Sequence, residues 1–541
     1  MRPLILTMLL AARFAHATSP LAQVDALFEP HNHTTTPGCA TGVAQDGKTL
    51  HAKGYGVADL EHDVPITAKS AFYLASASKQ FTAMAVHLLV AHGRLSLDEP
   101  VRKYIPGLPA YTGSITIRQL LYHTSGLRDY IAILEVAGAP EPFSLTTNDF
   151  LAILTRQKRL NFEPGAGFLY SNSGYALLPI VLQGITAEPL RTFANVHIFE
   201  PLGMKDTRYY DDRGRILKNR AIGYSRNGAE WRIDAPPHAM MGDGGVYSSV
   251  DDLLLWARNF DAAKVGGRKV IDLMTAQGSL NGGRKIPYGA GMTVESYRGL
   301  RTLSHTGWLG GYRASFLMLP DQKFTTVTLC NSGTADAIAL NYQIAEIFHG
   351  ASMQKAGGEG LKVSGADVKR RSGVFRSATT GQIVRVDGRD GRLVMLDLFR
   401  AYPLEPVTSL RFRYTDARQP FELTYESSFA AIEIAWHGED VDRFEPAKLA
   451  EVSAADLAPL AGSYFSEEAQ ARFEIAATPG GLTWQRKGWA PARLQPTVQD
   501  EFVQGPVHLR LVRDASGAVT GFDLTAGRAR NLRFVRESPR P

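Results

Sequence analysis

The chain has 541 residues, a formal net charge of +6 and 21% charged residues. Its 44% hydrophobic content is that of a globular protein, which excludes disordered and collagen-like classes, and its length predicts several domains. Lysine and arginine form no basic cluster, which argues against a nucleic-acid partner.

The first predicted element is a leader over 1–17. Arg2, an apolar run from Leu4 to Ala12 and Ala15-His16-Ala17 form the pattern of a cleaved secretory signal. The run is too short to cross a bilayer, and no later segment reads as a membrane span. The mature chain is therefore expected in the periplasm or outside the cell, without stable membrane insertion. His31 and His33 stand in a Thr-rich stretch with no carboxylate companion and read as loop residues. Without Cys/His ligand spacing, the sequence calls for no metal and no cofactor. Export permits a bond between Cys39 and Cys330, but both lie in or beside apolar strand-like runs and are expected as buried thiols.

Residues 18–352 read as one mixed region. Cys39–Ala44, a turn at Asp46-Gly47 and Thr49–Gly56 form a hairpin pattern. A helix is expected over Ser78–His92, with Phe81, Met84, Ala85, Leu88 and Leu89 at helical spacing and Gly93 ending it. Further helices are expected over Gly174–Ile185 and Asp251–Asn259. Strands follow at Leu303–His305, Ala314–Leu319 and Thr325–Cys330, then a helix at Asn341–His349. Ala356-Gly357-Gly358-Glu359-Gly360 marks a linker over 353–366. Beyond it, short alternating runs and tight turns such as Asp387-Gly388 and Asp390-Gly391 predict antiparallel strands. The tail also repeats: Asp367…Gly373-Val374-Phe375 returns as Asp456…Gly462-Ser463-Tyr464, and Arg443-Phe444 as Arg533-Phe534. Two copies of one unit predict two small antiparallel β-barrels, over 367–447 and 448–541, joined through Pro446–Ala454.

Three motifs carry chemistry. Ser76 and Lys79, three apart at a helix start, share one helical face, so the amine can serve the hydroxyl as base. The helix N-terminus adds N–H groups that favour an oxyanion. An apolar face around Lys79 predicts burial and a lowered pKa. Tyr170, in a loop after Glu163-Pro164-Gly165, is a second proton handler, its anion favoured by a nearby cation; Asn172 orients Lys79 and binds a substrate carbonyl. His305, Gly307 and Trp308 lie on a strand. There Gly307 lets a substrate backbone approach, and the Trp308 N–H is the second oxyanion donor. The bland alternatives are a capping serine with a surface lysine, a polar loop and a structural histidine. The three motifs occurring together in this order favour acyl transfer.

Ser76-Ala77-Ser78-Lys79, Tyr170-Ser171-Asn172 and His305-Thr306-Gly307 resemble the motifs of the class C β-lactamase-related serine hydrolases, in the penicillin-binding protein superfamily. Leu120–Leu127, Pro201-Leu202-Gly203-Met204 and Gly242–Ser249 agree with that resemblance. Ser78–Thr82, Gly126–Tyr130 and the tail barrels are similar to D-aminopeptidase-type members with lipocalin-like modules. The resemblance implies an α+β fold, a β-lactamase/DD-peptidase-like domain with an antiparallel sheet flanked by helices and a helical subdomain. It implies acylation of Ser76, with Lys79 and Tyr170 sharing the proton work, on a small peptide, amide or ester. A D-amino-acid-specific peptidase or amidase is the preferred reading. The alternatives are a class C-like β-lactamase, a carboxylesterase, or a penicillin- or peptidoglycan-binding protein without turnover. Two departures bear on specificity. His305 stands where β-lactamases carry lysine, and Gly505-Pro506 makes a short turn where such members can extend a barrel loop over the cleft.

Overall fold

The computed structural model describes residues 19–139, 145–212, 214–235, 240–354, 365–389, 392–397, 400–414, 421–436, 440–486 and 489–538. The leader over 1–17, the Ala356–Gly360 stretch of the linker and the Asp390-Gly391 turn lie outside them.

An antiparallel sheet organises the first region. Among the described residues its six strands run in the order Thr293–Tyr297, Leu300–Leu309, Tyr312–Leu319, Phe324–Cys330, Cys39–Gln45, Lys48–Tyr55. Strand side chains alternate between faces, and each face has its own core. Ala40, Ala314, Phe316 and Val327 join the larger core, with the helices Lys79–Ala91 and Val250–Ala262. Cys39, Val43, Leu317 and Phe324 join a second core, under the helices Pro20–Phe28 and Ala337–His349. Gly42 has no room for a side chain, because a Cβ there would meet Val250 at 2.4 Å.

The cysteines correct the expectation of free thiols: Cys39 and Cys330 form a disulfide. Their strands pair antiparallel with the two residues directly opposite, Cα atoms 4.0 Å apart and side chains on one face. That register joins segments 291 residues apart, so neither strand alone reveals it.

The predicted elements form with shifted bounds, most of them longer, although the helix expected over Ser78–His92 is shorter, Lys79–Ala91. The hairpin is Cys39–Gln45 and Lys48–Tyr55, the strands expected at Leu303–His305 and Ala314–Leu319 are Leu300–Leu309 and Tyr312–Leu319, and the helix expected over Gly174–Ile185 is Asn172–Thr186. The helix Lys79–Ala91 departs from the expected one-faced pattern: every residue from Lys79 to Leu89 is buried. It is the central helix of the larger core, which is why a lysine at its first position is enclosed.

The tail forms two barrel-like sheets. In the first, nine described strands run from Ala401–Pro403 around to Glu405–Pro406. These end strands are consecutive and flank Leu404, so the chain itself completes the ring. In the second, a single strand, Ala492–Pro496, takes that place and the eight strands close. The second barrel docks on the first region through buried Arg128. This residue pairs with Glu468 and donates to the carbonyls of Arg530 at 3.0 Å and Asn531 at 2.9 Å. Arg376 binds Glu501 with two hydrogen bonds, 2.7 and 2.6 Å, tying barrel to barrel.

Candidate active site

Ser76 lies in a single 3₁₀ turn, Ala75–Ser78, that runs into the helix Lys79–Ala91. Ala75 has φ +46°, a left-handed conformation that costs a non-glycine residue energy and occurs where a turn is held by its surroundings. The neighbours that hold it are visible. Leu74 N donates to Val246 O at 2.8 Å, and Val246 N to Ser78 Oγ at 3.1 Å. The same contacts bring the Gly242–Val246 segment against the turn.

Lys79 is the hub. Its Nζ donates to Ser76 Oγ at 3.2 Å, Asn172 Oδ1 at 2.8 Å and the Asp243 carbonyl at 2.6 Å. Burial lowers its pKa to about 7; Asp243 and Asp129 oppose the shift, and Arg528 adds to it. A substantial fraction of the amine is therefore neutral at physiological pH. Asn172, first residue of the helix Asn172–Thr186, is oriented by Asp129, whose Oδ2 accepts from its N at 2.7 Å and its Nδ2 at 2.9 Å.

The Tyr170 ring centroid lies 4.9 Å from Lys79 Nζ. Its hydroxyl is buried, and no described residue hydrogen-bonds it in good geometry, although the Ser76 side chain is among the groups that favour its anion. Burial outweighs Ser76 and Arg528 and drives its pKa up. This corrects the expectation of a phenol whose anion is stabilised by Lys79: in this resting geometry Tyr170 holds its proton and Lys79 is the better acceptor.

His305 lies beside this cluster, its ring centroid 6.2 Å from that of Tyr170. Tyr288 Oη meets its Nε2 at 3.0 Å, and its Nδ1 meets the Thr306 carbonyl at 2.7 Å, which assigns the proton to Nδ1. Burial and Lys79 hold its pKa near 3, so it is neutral. Gly307 is needed for a reason the sequence did not show: a Cβ there would lie 1.9 Å from Leu74 O, so the close approach is that of the Ser76 turn itself. Trp308 is 76% exposed, with the Arg313 guanidinium 4.6 Å from its ring.

The sequence reading missed four neighbours. Asp129 caps the helix Tyr130–Ala137 while orienting Asn172. The Asp243 carbonyl holds Lys79, and its Oδ2 accepts from Tyr130 Oη at 2.8 Å. His123 accepts from Ser171 N at 3.1 Å, its ring 4.2 Å from Tyr170. Arg528 arrives from the second barrel, its guanidinium 5.2 Å from the Tyr170 ring. Asp129, Asp243 and His123 fall inside the segments Gly126–Tyr130, Gly242–Ser249 and Leu120–Leu127 that carried the resemblance; nothing local to Arg528 marks it. Among the described residues no group of three His, Cys, Asp or Glu is placed to hold a metal.

The chain is similar to known proteins over most of its length. The family described as Beta-lactamase matches residues 24–348. A D-aminopeptidase of Cereibacter sphaeroides is 27% identical over 521 residues, covering 92% of this chain and 96% of its own length. Penicillin-binding protein 4* of Bacillus subtilis is 29% identical over 307 residues, covering 53% of this chain and 66% of its own. Among solved structures, the octameric penicillin-binding protein homologue from Pyrococcus abyssi superposes with a TM-score of 0.55 at 21% identity, over 79% of this chain and all of its own. The D-amino acid amidase from Ochrobactrum anthropi SV3 does so with a TM-score of 0.51 at 23% identity, over 62% and 99%. The chain belongs to the beta-lactamase family and is a serine hydrolase.

Proposed function

We propose that the protein cleaves D-amino-acid peptides or amides through an acyl-enzyme on Ser76. The observation that carries this reading is the enclosed Lys79 amine, poised near pH 7 and 3.2 Å from Ser76 Oγ. Neutral Lys79 takes the hydroxyl proton as Ser76 attacks the carbonyl carbon. The backbone N–H groups of Ser76 and Trp308 receive the oxyanion, and Asn172 aligns both lysine and substrate. Tyr170 gives its proton to the leaving nitrogen and is restored by the Lys79 ammonium. Water then attacks the ester, and its proton returns through the same pair. The similarity to D-aminopeptidases over nearly the whole chain supports a D-configured substrate. In this reading 18–352 is the catalytic domain, and 367–447 and 448–541 are accessory barrels joined to it through 353–366. The leader pattern and the Cys39–Cys330 disulfide support a periplasmic or secreted location.

A panel of D-alanine p-nitroanilide, short-chain p-nitrophenyl esters and nitrocefin tests the substrate class. The reading expects the D-anilide to be turned over best. Preference for nitrocefin or for the esters overturns it in favour of a β-lactamase or carboxylesterase, and a single stoichiometric burst in favour of a binding protein. Ser76→Ala is expected to abolish turnover and fluorophosphonate labelling; a fully labelled variant contradicts the assigned nucleophile.

A further inference from the structure

The Tyr170 hydroxyl has no described hydrogen-bond partner in good geometry, and the helix that follows starts only two residues later, at Asn172. The phenol is held instead by a residue distant in the chain. His123 O accepts from Leu169 N at 3.0 Å, and His123 Nδ1 accepts from Ser171 N at 3.1 Å. Both residues that flank Tyr170 are thus bound to His123. The His123 ring also packs on the phenol, with centroids 4.2 Å apart and planes inclined by 33°.

His123 does this from an unfavourable position. The helix Ile117–Leu121 ends with Thr124 N donating to Gln119 O at 2.9 Å and His123 N to Leu120 O at 3.4 Å, with His123 at φ +56°. Glycine is the usual residue at that left-handed position, where a Cβ is crowded. The histidine is also buried. Because Nδ1 accepts a backbone N–H, the ring proton sits on Nε2, and no described residue accepts it. Tyr175 and Tyr288 close the ring in, with centroids 5.0 and 4.6 Å away. Burial first, then Lys79 and His305, holds its pKa well below the ordinary histidine value, so Nδ1 stays an acceptor. Two local costs, a left-handed histidine and a buried donor without an acceptor, are tolerated at a residue whose contacts converge on Tyr170. Phenylalanine there would stack on the phenol without accepting from Ser171. Asparagine would accept, and tolerates positive φ, but would not stack.

We propose that His123 is the positioning residue for Tyr170: it clasps the chain on both sides of the phenol and stacks on its ring, so that the hydroxyl faces the leaving group. The proposal rests on the Ser76 reading, in which Tyr170 gives its proton to the leaving nitrogen as the C–N bond breaks and recovers one from the Lys79 ammonium. His123 then sets how well the enzyme expels a poor leaving group, which needs that proton. It matters less for p-nitrophenolate, which departs as an anion.

The test compares kcat/KM, which reports acylation, for D-alaninamide and for the p-nitrophenyl ester of D-alanine. It uses the full-length wild type, His123→Phe, His123→Asn and Tyr170→Phe. The amide-to-ester ratio is expected to fall roughly tenfold in His123→Phe, part of the about hundredfold or more that a placed proton donor contributes, and by less in His123→Asn. It is expected to fall furthest in Tyr170→Phe, and adding His123→Phe to that variant is expected to lower it no more. A ratio taken within each variant is insensitive to loss of folded protein. A merely structural role would lower both rates together. Methyl butyrate against p-nitrophenyl butyrate gives the same readout without a D-residue. If the D-alanyl substrates are refused but the butyrate ratio falls in His123→Phe, the D-peptide reading is lost and the role of His123 stands. If His123→Phe keeps the wild-type ratio, or lowers it again in the Tyr170→Phe background, the role of His123 is overturned. If neither pair is hydrolysed, or if Ser76→Ala hydrolyses them as wild type does, the Ser76 reading falls, and this inference with it.

Discussion

Asp440 and Arg528 each stand just before the last strand of their barrel. Both turns touch the catalytic region beside the Tyr170 segment, with opposite charge. Asp440 accepts from Phe168 N at 3.3 Å and pairs with Arg284, which is 48% exposed. Arg528 approaches Tyr170 itself and buried Asp129. The two barrels thus reach the same neighbourhood, and the residue before the last strand sets the charge that each brings there. In the first barrel that residue makes a partly exposed tether. In the second it brings charge to the catalytic cluster.

The contrast breaks most strongly at the buried anchor of the second barrel. Glu468→Ala leaves Arg128 enclosed without its carboxylate, and losing one partner of a buried pair costs about 3–5 kcal/mol. Thermal unfolding is expected to show that loss, together with a fall in kcat/KM as Arg528 loses its placement. A disulfide remote from either turn gives the control. Reducing Cys39–Cys330 is expected to lower stability by about 2–4 kcal/mol, read by denaturant unfolding, without moving the pH limb set by Lys79.

A finer cut uses pH. Acylation is expected to rise as Lys79 loses its proton, through about pH 7. Arg528 is among the groups that lower the Lys79 pKa, so Arg528→Gln is expected to move this limb to higher pH, while Asp440→Asn leaves it in place. Fluorophosphonate labelling rates across pH separate the two. The smallest effect belongs to the partly exposed tether: Asp440→Ala is expected to change stability by about 1 kcal/mol, measured by the same unfolding curves.

What the sequence made legible was local. Ser76 and Lys79 are three residues apart, and Tyr170 and Asn172 two, so spacing alone places each pair on one turn or one loop. The alternating strands were legible for the same reason, because periodicity is a near-neighbour property; the repeated tail was legible because two segments of the sequence match each other, which needs no knowledge of contacts. Long-range register was not. The bond between Cys39 and Cys330 depends on a strand pairing across 291 residues. Asp129 caps the helix Tyr130–Ala137 with one oxygen, and only folding turns its second oxygen toward Asn172. Gly307 was read as room for substrate, while its neighbour is the Leu74 carbonyl. Arg528 lies in an ordinary turn whose target is set by the docking of Arg128 and Glu468.

The most direct test of the catalytic claim is the pH dependence of fluorophosphonate labelling in the wild-type protein, with the modified residue located by peptide mass mapping. The account predicts a label on Ser76 and a single limb rising through about pH 7, where Lys79 becomes neutral. A label on another residue, or a limb near the ordinary lysine value of about 10.4, would contradict it.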